Sequence, residues 1–158
     1  MANTQSMCTS FMGELMTATH NFGTAPIRAA TTADTFKAAL YLTSATVNAS
    51  TTVYSSTGEV TGTGYTAGGV TVTNATAPIA TNSSATAGVA YWTPSASITY
   101  TTVTLSTAFD CVLIYNSSQS NKAVSVHTFG SQTITAGTFT LTMPSNTTTT
   151  ALLRLSTT

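Results

Sequence analysis

Charge is what this chain lacks. Of its 158 residues eight are charged: Glu14, Asp34, Glu59 and Asp110 are acidic, and Arg28, Lys37, Lys122 and Arg154 are basic. An ordinary globular domain has about a quarter of its residues charged. With a formal net charge of zero and no basic cluster, nothing is available to grip phosphates, so nucleic acid is excluded as a partner. No basic amphipathic face is present for anionic lipid, and no apolar run approaches the roughly 18 residues that cross a bilayer. A membrane partner is therefore not expected either. Residues 1–21 lack the basic start of a secretory leader and include Glu14 and His20, so synthesis in a cytoplasm without a removed leader is expected. Cysteine is scarce too. Cys8 and Cys111 form no metal-ligand spacing with His20 or His127, which argues against zinc and favours two buried thiols over a disulfide.

What the chain has instead is threonine, about a quarter of all residues, within a composition that is 42% hydrophobic. That apolar content is too high for intrinsic disorder, and the length suits one domain over 1–158. Cys8, Phe11, Met12, Leu15 and Met16 recur at steps of three and four, which predicts a short amphipathic helix within 1–22. Ser6 or Thr4 would cap its start, and Asn21, Gly23 and Pro26 would mark its end. The helix either packs on the chain's own sheet or docks its Met-rich face on a neighbour, since Met adapts to irregular surfaces.

From residue 35 to 158 the pattern is that of strands. They are expected at 36–42, 70–73, 89–92, 98–105, 109–115, 123–129, 133–134, 139–143 and 151–155. Phe139, Leu141 and Met143 alternate with Thr138, Thr140 and Thr142, the period of a half-buried strand. Threonine fits this setting because its β-branch favours extended backbone while its hydroxyl wets the outer face without charge. The polar stretch 116–121 reads as a hairpin loop. Short strands punctuated by Gly, Asn, Ser and Pro predict a mainly β fold. Specifically, an antiparallel β-sandwich is expected, of jelly-roll type or a relative, with one N-terminal helix. Edge strands are usually blunted by Lys, Pro or inward charge; so few are present here that the edges make sense if an assembly covers them.

Catalytic chemistry finds little support. Only His20 and His127 offer a base for a serine nucleophile. His127 shares a strand face with Ala123, Ser125 and Phe129, which suits a solvated or interface histidine. His20 falls at the expected helix C-terminus, where an imidazolium would complement the dipole. Glu59 and Asp110 are a conceivable carboxylate pair, yet nothing in the sequence brings them together. The glycines of 62–69 lack the GK[ST] ending and following helix of a phosphate loop, and read as a flexible turn into the strand at Val70. No catalytic residue, metal ligand or cofactor site is expected.

The order of several segments is nevertheless distinctive. Asp34-Thr35-Phe36-Lys37-Ala38-Ala39-Leu40-Tyr41 is followed by Glu59-Val60-Thr61-Gly62-Thr63-Gly64-Tyr65-Thr66-Ala67-Gly68-Gly69. Then come Leu113-Ile114-Tyr115-Asn116 and Asn121-Lys122-Ala123-Val124, ending near Phe129-Gly130. Over roughly 11–143 this order resembles a group of small tailed-bacteriophage virion proteins, and the Glu-Val-x-Gly-x-Gly-Tyr-x-x-Gly-Gly string is its most specific part. The chain departs from the pattern in its poverty of charge and in a Thr-rich insertion at 76–87. The resemblance implies a non-enzymatic capsid decoration or cement protein on the virion surface, assembled in the host cytoplasm. Its partners would be the phage major capsid protein, between whose subunits it sits in the expanded head, and further copies of itself as a dimer or trimer. The contact surfaces this suggests are Phe11, Met12, Leu15 and Met16 on the helix, and Tyr65 in the Gly-rich loop. The alternative is a tail or head-fibre component that attaches to the host surface through Tyr54, Tyr65, Tyr91 or Tyr100. A secreted adhesin lacks its leader, and an enzyme comes last.

Overall fold

The computed structural model describes residues 3–16, 19–22, 33–74, 77–81 and 88–156, with backbone only at positions 13 and 16. In chain order the elements are β1 (Ser6–Met7), α1 (Thr9–Met16), β2 (Phe36–Leu42), β3 (Val70–Thr71), β4 (Ile79–Thr81), β5 (Val89–Trp92), β6 (Ile98–Asn116), β7 (Lys122–Leu141) and β8 (Leu153–Ser156). Two antiparallel sheets result, one ordered β1-β7-β6-β2-β3 and the other β4-β5-β8. The expected β-sandwich-like fold with one short helix is what the chain forms.

Where strands lie in the sheet explains their composition. β2 runs between β6 and β3, and six of its seven residues read as the apolar run Phe36, Ala38, Ala39, Leu40, Tyr41 and Leu42. Strands covered on both faces have no need of polar alternation. β6 starts with alternating burial at Ile98, Thr99 and Tyr100, and is buried throughout from Cys111 to Asn116, where β2 and β7 flank it.

β6 and β7 are each longer than expected. The strands at 98–105 and 109–115 fuse into one, because Ser106-Thr107-Ala108 contains no breaker and extended backbone runs through it. The strands at 123–129, 133–134 and 139–143 fuse likewise. The register slips between Tyr100 and Val103, Val103 and Leu105, and Leu105 and Phe109 absorb the irregular residues. Thr102 (φ 55°) and Ala136 (φ 45°) lie at these slips, as bulges require. The hairpin turn falls at 117–121, as the polar stretch predicts.

The helix is shorter than the 1–22 segment proposed for it. Ser6 pairs with Val126 in β1, which removes it from any capping role, and α1 begins only after Cys8. Cys8 and Phe11 are buried and Leu15 is partly buried, whereas Met12 is 49% exposed, so the inner stripe is narrower than the periodicity implied. The helix ends at Met16, well before Asn21; Gly23 and Pro26 lie outside the described residues. An aromatic cluster locks this region to both sheets: Phe22 stacks on Phe36 of β2 at 4.5 Å and meets Trp92 of β5 edge-on at 4.8 Å. Cys8 and Cys111 are free, buried thiols, with pKa values pushed up by burial to about 11 and about 12.

Phe36 has no exposed surface and joins the two sheets. Truncation by Phe36→Ala is expected to cost about 3–5 kcal/mol. Urea unfolding would show it as a lowered midpoint with an unchanged slope.

Candidate functional site

The distinctive Gly-rich string has a buried carboxylate at its head. Glu59, 6% exposed, accepts hydrogen bonds from the Tyr65 hydroxyl (2.6 Å) and the Gly68 N–H (2.7 Å) on Oε1, and from the Tyr54 hydroxyl (2.6 Å) on Oε2. Tyr65 in turn accepts the Leu40 N–H at 3.0 Å, and the Tyr115 hydroxyl donates to the Gly68 carbonyl at 2.8 Å. Tyr54 stacks on Tyr115, and Tyr65 on Tyr100. Glycine is required because the loop lies against its neighbours: a Cβ at Gly69 (φ +71°) would stand 1.7 Å from the Ala38 carbonyl oxygen. The loop is thus anchored, not the flexible turn expected. The Gly68 and Gly69 N–H groups already have acceptors, in Glu59 and in the Thr66 carbonyl, and so are not open to a phosphate.

Asp110, the other half of the conceivable carboxylate pair, is elsewhere and accepts from Asn3 Nδ2 at 2.6 Å. A second network gathers residues far apart in sequence. Glu14 pairs with His20 Nε2 at 2.7 Å and with Lys122 Nζ at 2.6 Å. The fully buried Asn116 joins His20 Nδ1 (3.1 Å) to Asp34 (2.7 Å). Burial acts to raise the Glu14 pKa, but the bonds and charges of Lys122 and His20 outweigh it and bring the carboxyl below its usual range. For His20 burial wins over Glu14 and lowers the pKa. His20, expected as an imidazolium at the helix C-terminus, lies beyond the end of α1 at Met16 and is a buried bridge within this network.

His127 sits on the same strand face as Ser125, as alternation predicts, with Nε2 2.9 Å from the Ser125 hydroxyl. Burial brings the imidazole down to about 4. Nucleophile and base are thus in reach of each other, beside a cleft of about 270 Å³ that Gln5 and Arg154 also bound. Ser125, however, is 1% exposed, so it presents almost no surface to the cleft. Among the described residues no three His, Cys, Asp or Glu side chains come together to hold a metal.

The expected contact residues divide. Phe11, 2% exposed, packs edge-on against His20 and Phe22, so it forms a wall and not an outward face. Phe11 and Leu15 bound an apolar groove of about 90 Å³ between α1 and the smaller sheet, with Met7, Phe22, Trp92 and Leu155 completing it. Met12 (49% exposed), Ile79 (45%) and Leu155 (41%) project on the surface. The Met16 side chain lies outside the described residues. Tyr65 is partly buried and its hydroxyl is engaged by Glu59. Of the tyrosines proposed for host attachment, Tyr100 is buried too, Tyr54 is bonded to Glu59, and Tyr91 is half-buried and borders the groove.

The chain matches no family model, no curated protein and no solved structure.

Two outcomes test the Glu59 centre. Glu59→Gln places an amide donor among three donors, and is expected to cost about 1–3 kcal/mol in chemical unfolding. In addition, Tyr41, Tyr54, Tyr65, Tyr100 and Tyr115 are all held above the ordinary phenol range, by burial first and by the Glu59 charge as well. The unfolded chain releases phenol protons near about pH 10 while the folded chain keeps them. Stability is therefore full below that pH and lost as pH rises beyond it. Tyrosinate absorbance of these five should appear together with unfolding; their ionisation in a chain that stays folded would refute the arrangement.

Proposed function

We propose that this chain is a non-enzymatic structural protein of a tailed-phage virion, a decoration or cement protein seated between major capsid protein subunits of the expanded head. The observation that carries the reading is the apolar groove beside α1, which opens on a surface nearly without charge. A groove lined by Phe11, Leu15 and Leu155 offers contact area, and hydroxyl-rich surroundings offer little that must be neutralised when covered. Buried apolar surface contributes about 25 cal/mol per Å². One copy adds modestly, but copies repeated over a shell sum against the internal pressure of packaged DNA. The sequence resemblance points the same way. Several groups with acid–base capacity stand in internal networks: Glu59 with its tyrosines, Glu14 with His20 and Lys122, and His127 with the buried Ser125. Attachment to a host surface would ask for free aromatic side chains; Tyr54, Tyr65 and Tyr100 are engaged within the fold, which leaves Tyr91, at the groove, as the one candidate of the four for that role.

Imaging of purified particles is expected to place many copies on the shell. Added to capsids that lack it, the protein should raise their rupture temperature. Met12→Glu and Leu155→Glu, at exposed positions, should weaken capsid binding about tenfold, equivalent to about 1.4 kcal/mol, with the free protein's own melting temperature unchanged. A handful of copies confined to the tail, or none in the particle, overturns the reading.

A further inference from the structure

In the larger sheet, β1 covers β7 only at Ser125 and Val126, and the Cys8 N–H adds one bond to Val124. Beyond that point, residues 128–141 of β7 pair with β6 on one side. On the other side, no backbone hydrogen bond to them is found among the described residues. Such an edge is a row of unpaired N–H and C=O groups ready to accept another strand.

Three features of this edge bear on what would cover it. First, no Asp, Glu, Lys or Arg occurs between Lys122 and Arg154, so the charges that ordinarily protect an edge are missing. Second, Phe129, Ile134, Phe139 and Leu141 are only partly buried against the core, leaving an apolar row beside the open backbone. Third, the exposed positions between them are Gly130, Ser131, Gln132, Thr133, Thr135, Ala136, Thr138 and Thr140. The bulge at Ala136 twists the edge and divides it into two runs; among the described residues neither run has a backbone partner on this side, and Thr128 meets Gln5 through side chains alone.

A foreign strand carrying the usual Lys or Glu would bring that charge against an edge with nothing to pair it. This chain's own β7 edge carries none, so it is complementary to itself in charge and in its apolar row. We infer that β7 pairs antiparallel with β7 of a second copy about a two-fold axis, joining two five-stranded sheets into one continuous sheet. The partner strand would continue the row that β1 begins. Such an isologous contact uses the same patch twice and closes at a dimer. The inference shares with the decoration reading the premise that the uncharged surface is covered, and it names one partner, a second copy, at a face apart from the α1 groove.

The test is the mass of the purified full chain by light scattering or sedimentation. At about 50 µM, where an interface of micromolar Kd or tighter is mostly paired, wild type should be a dimer. T133K/T135K and T133E/T135E, both at exposed positions, should each shift the average mass toward the monomer, with at least tenfold weaker association. An equimolar mixture of the two should recover the dimer, which a misfolded variant would not do. If either variant proves unstable, hydrogen exchange on wild type decides instead: amides within 128–141 should gain protection as concentration rises, while those of β2 stay unchanged. A wild-type monomer at that concentration, a folded Lys variant that remains dimeric, or concentration-independent exchange along β7 overturns the pairing. A monomer that still occupies capsids removes this inference alone; a dimer that never binds particles removes the capsid reading alone.

Discussion

Three donors converging on the Glu59 carboxylate hold the Gly-rich segment to the larger sheet, and much of the molecule is arranged around that convergence. A carboxylate only accepts hydrogen bonds, and taking one out of water costs several kcal/mol unless donors replace the water. Here the phenols of Tyr54 and Tyr65 and the Gly68 N–H supply them. The demand propagates outward. Gly68 must present its N–H at positive φ, and Gly69 must pass the Ala38 carbonyl without a side chain. Tyr115, bonded to the Gly68 carbonyl, then ties the loop to β6. The Glu-x-x-Gly-x-Gly-Tyr-x-x-Gly-Gly string is a structural cassette: one anion, the donors that satisfy it, and the glycines that let the donors approach.

The same economy governs the other end of the domain. Asp34 gathers the Asn21 N–H, Asn116 and Gln119, and Asn116 connects to His20 and through it to Glu14 and Lys122. A chain with so few ions gives most of its acids defined partners inside the fold. The network fastens α1 to the β6–β7 turn, across 108 positions of sequence between Glu14 and Lys122. The same network sets where α1 stands relative to the larger sheet, and so helps to place the wall of the groove formed by Phe11 and Leu15.

Much of the architecture was legible in the sequence because period and punctuation act locally. The apolar run at 36–42, the strand at 89–92 and the turn after Asn116 all follow from neighbouring residues. The fusion of β6 and of β7 was not legible, since Gly130, Ala136 and Gly137 signal a turn locally but are absorbed as bulges once a partner strand holds the ladder. The helix cap failed for a related reason: Ser6 is a good cap until β7 offers it a strand to pair with. As for the site, the clustering of a lone Glu with Tyr six positions on and Gly nine positions on was a usable signal for the Glu59 centre. The Glu14–His20–Asn116–Asp34 network had none, because its members meet only through the tertiary fold.

Threonine is what connects the fold to the decoration role proposed for it. An exposed Lys or Glu keeps a protein soluble, but covering it costs several kcal/mol when it finds no partner, whereas an unpaired hydroxyl costs about 1–3 kcal/mol and readily finds a backbone group. A face built of Thr and Ser is therefore wet when alone and inexpensive to desolvate when tiled. It also leaves contacts with little dependence on salt, since screening acts on charges that are not there. A surface meant to turn over a substrate would need the opposite: ionisable groups gathered at an open site and tuned by their surroundings. Among the described residues, Glu59 with its tyrosines, and Glu14, His20, Asp34 and Lys122 around Asn116, are bound into internal networks that tie the loop and the helix to the larger sheet.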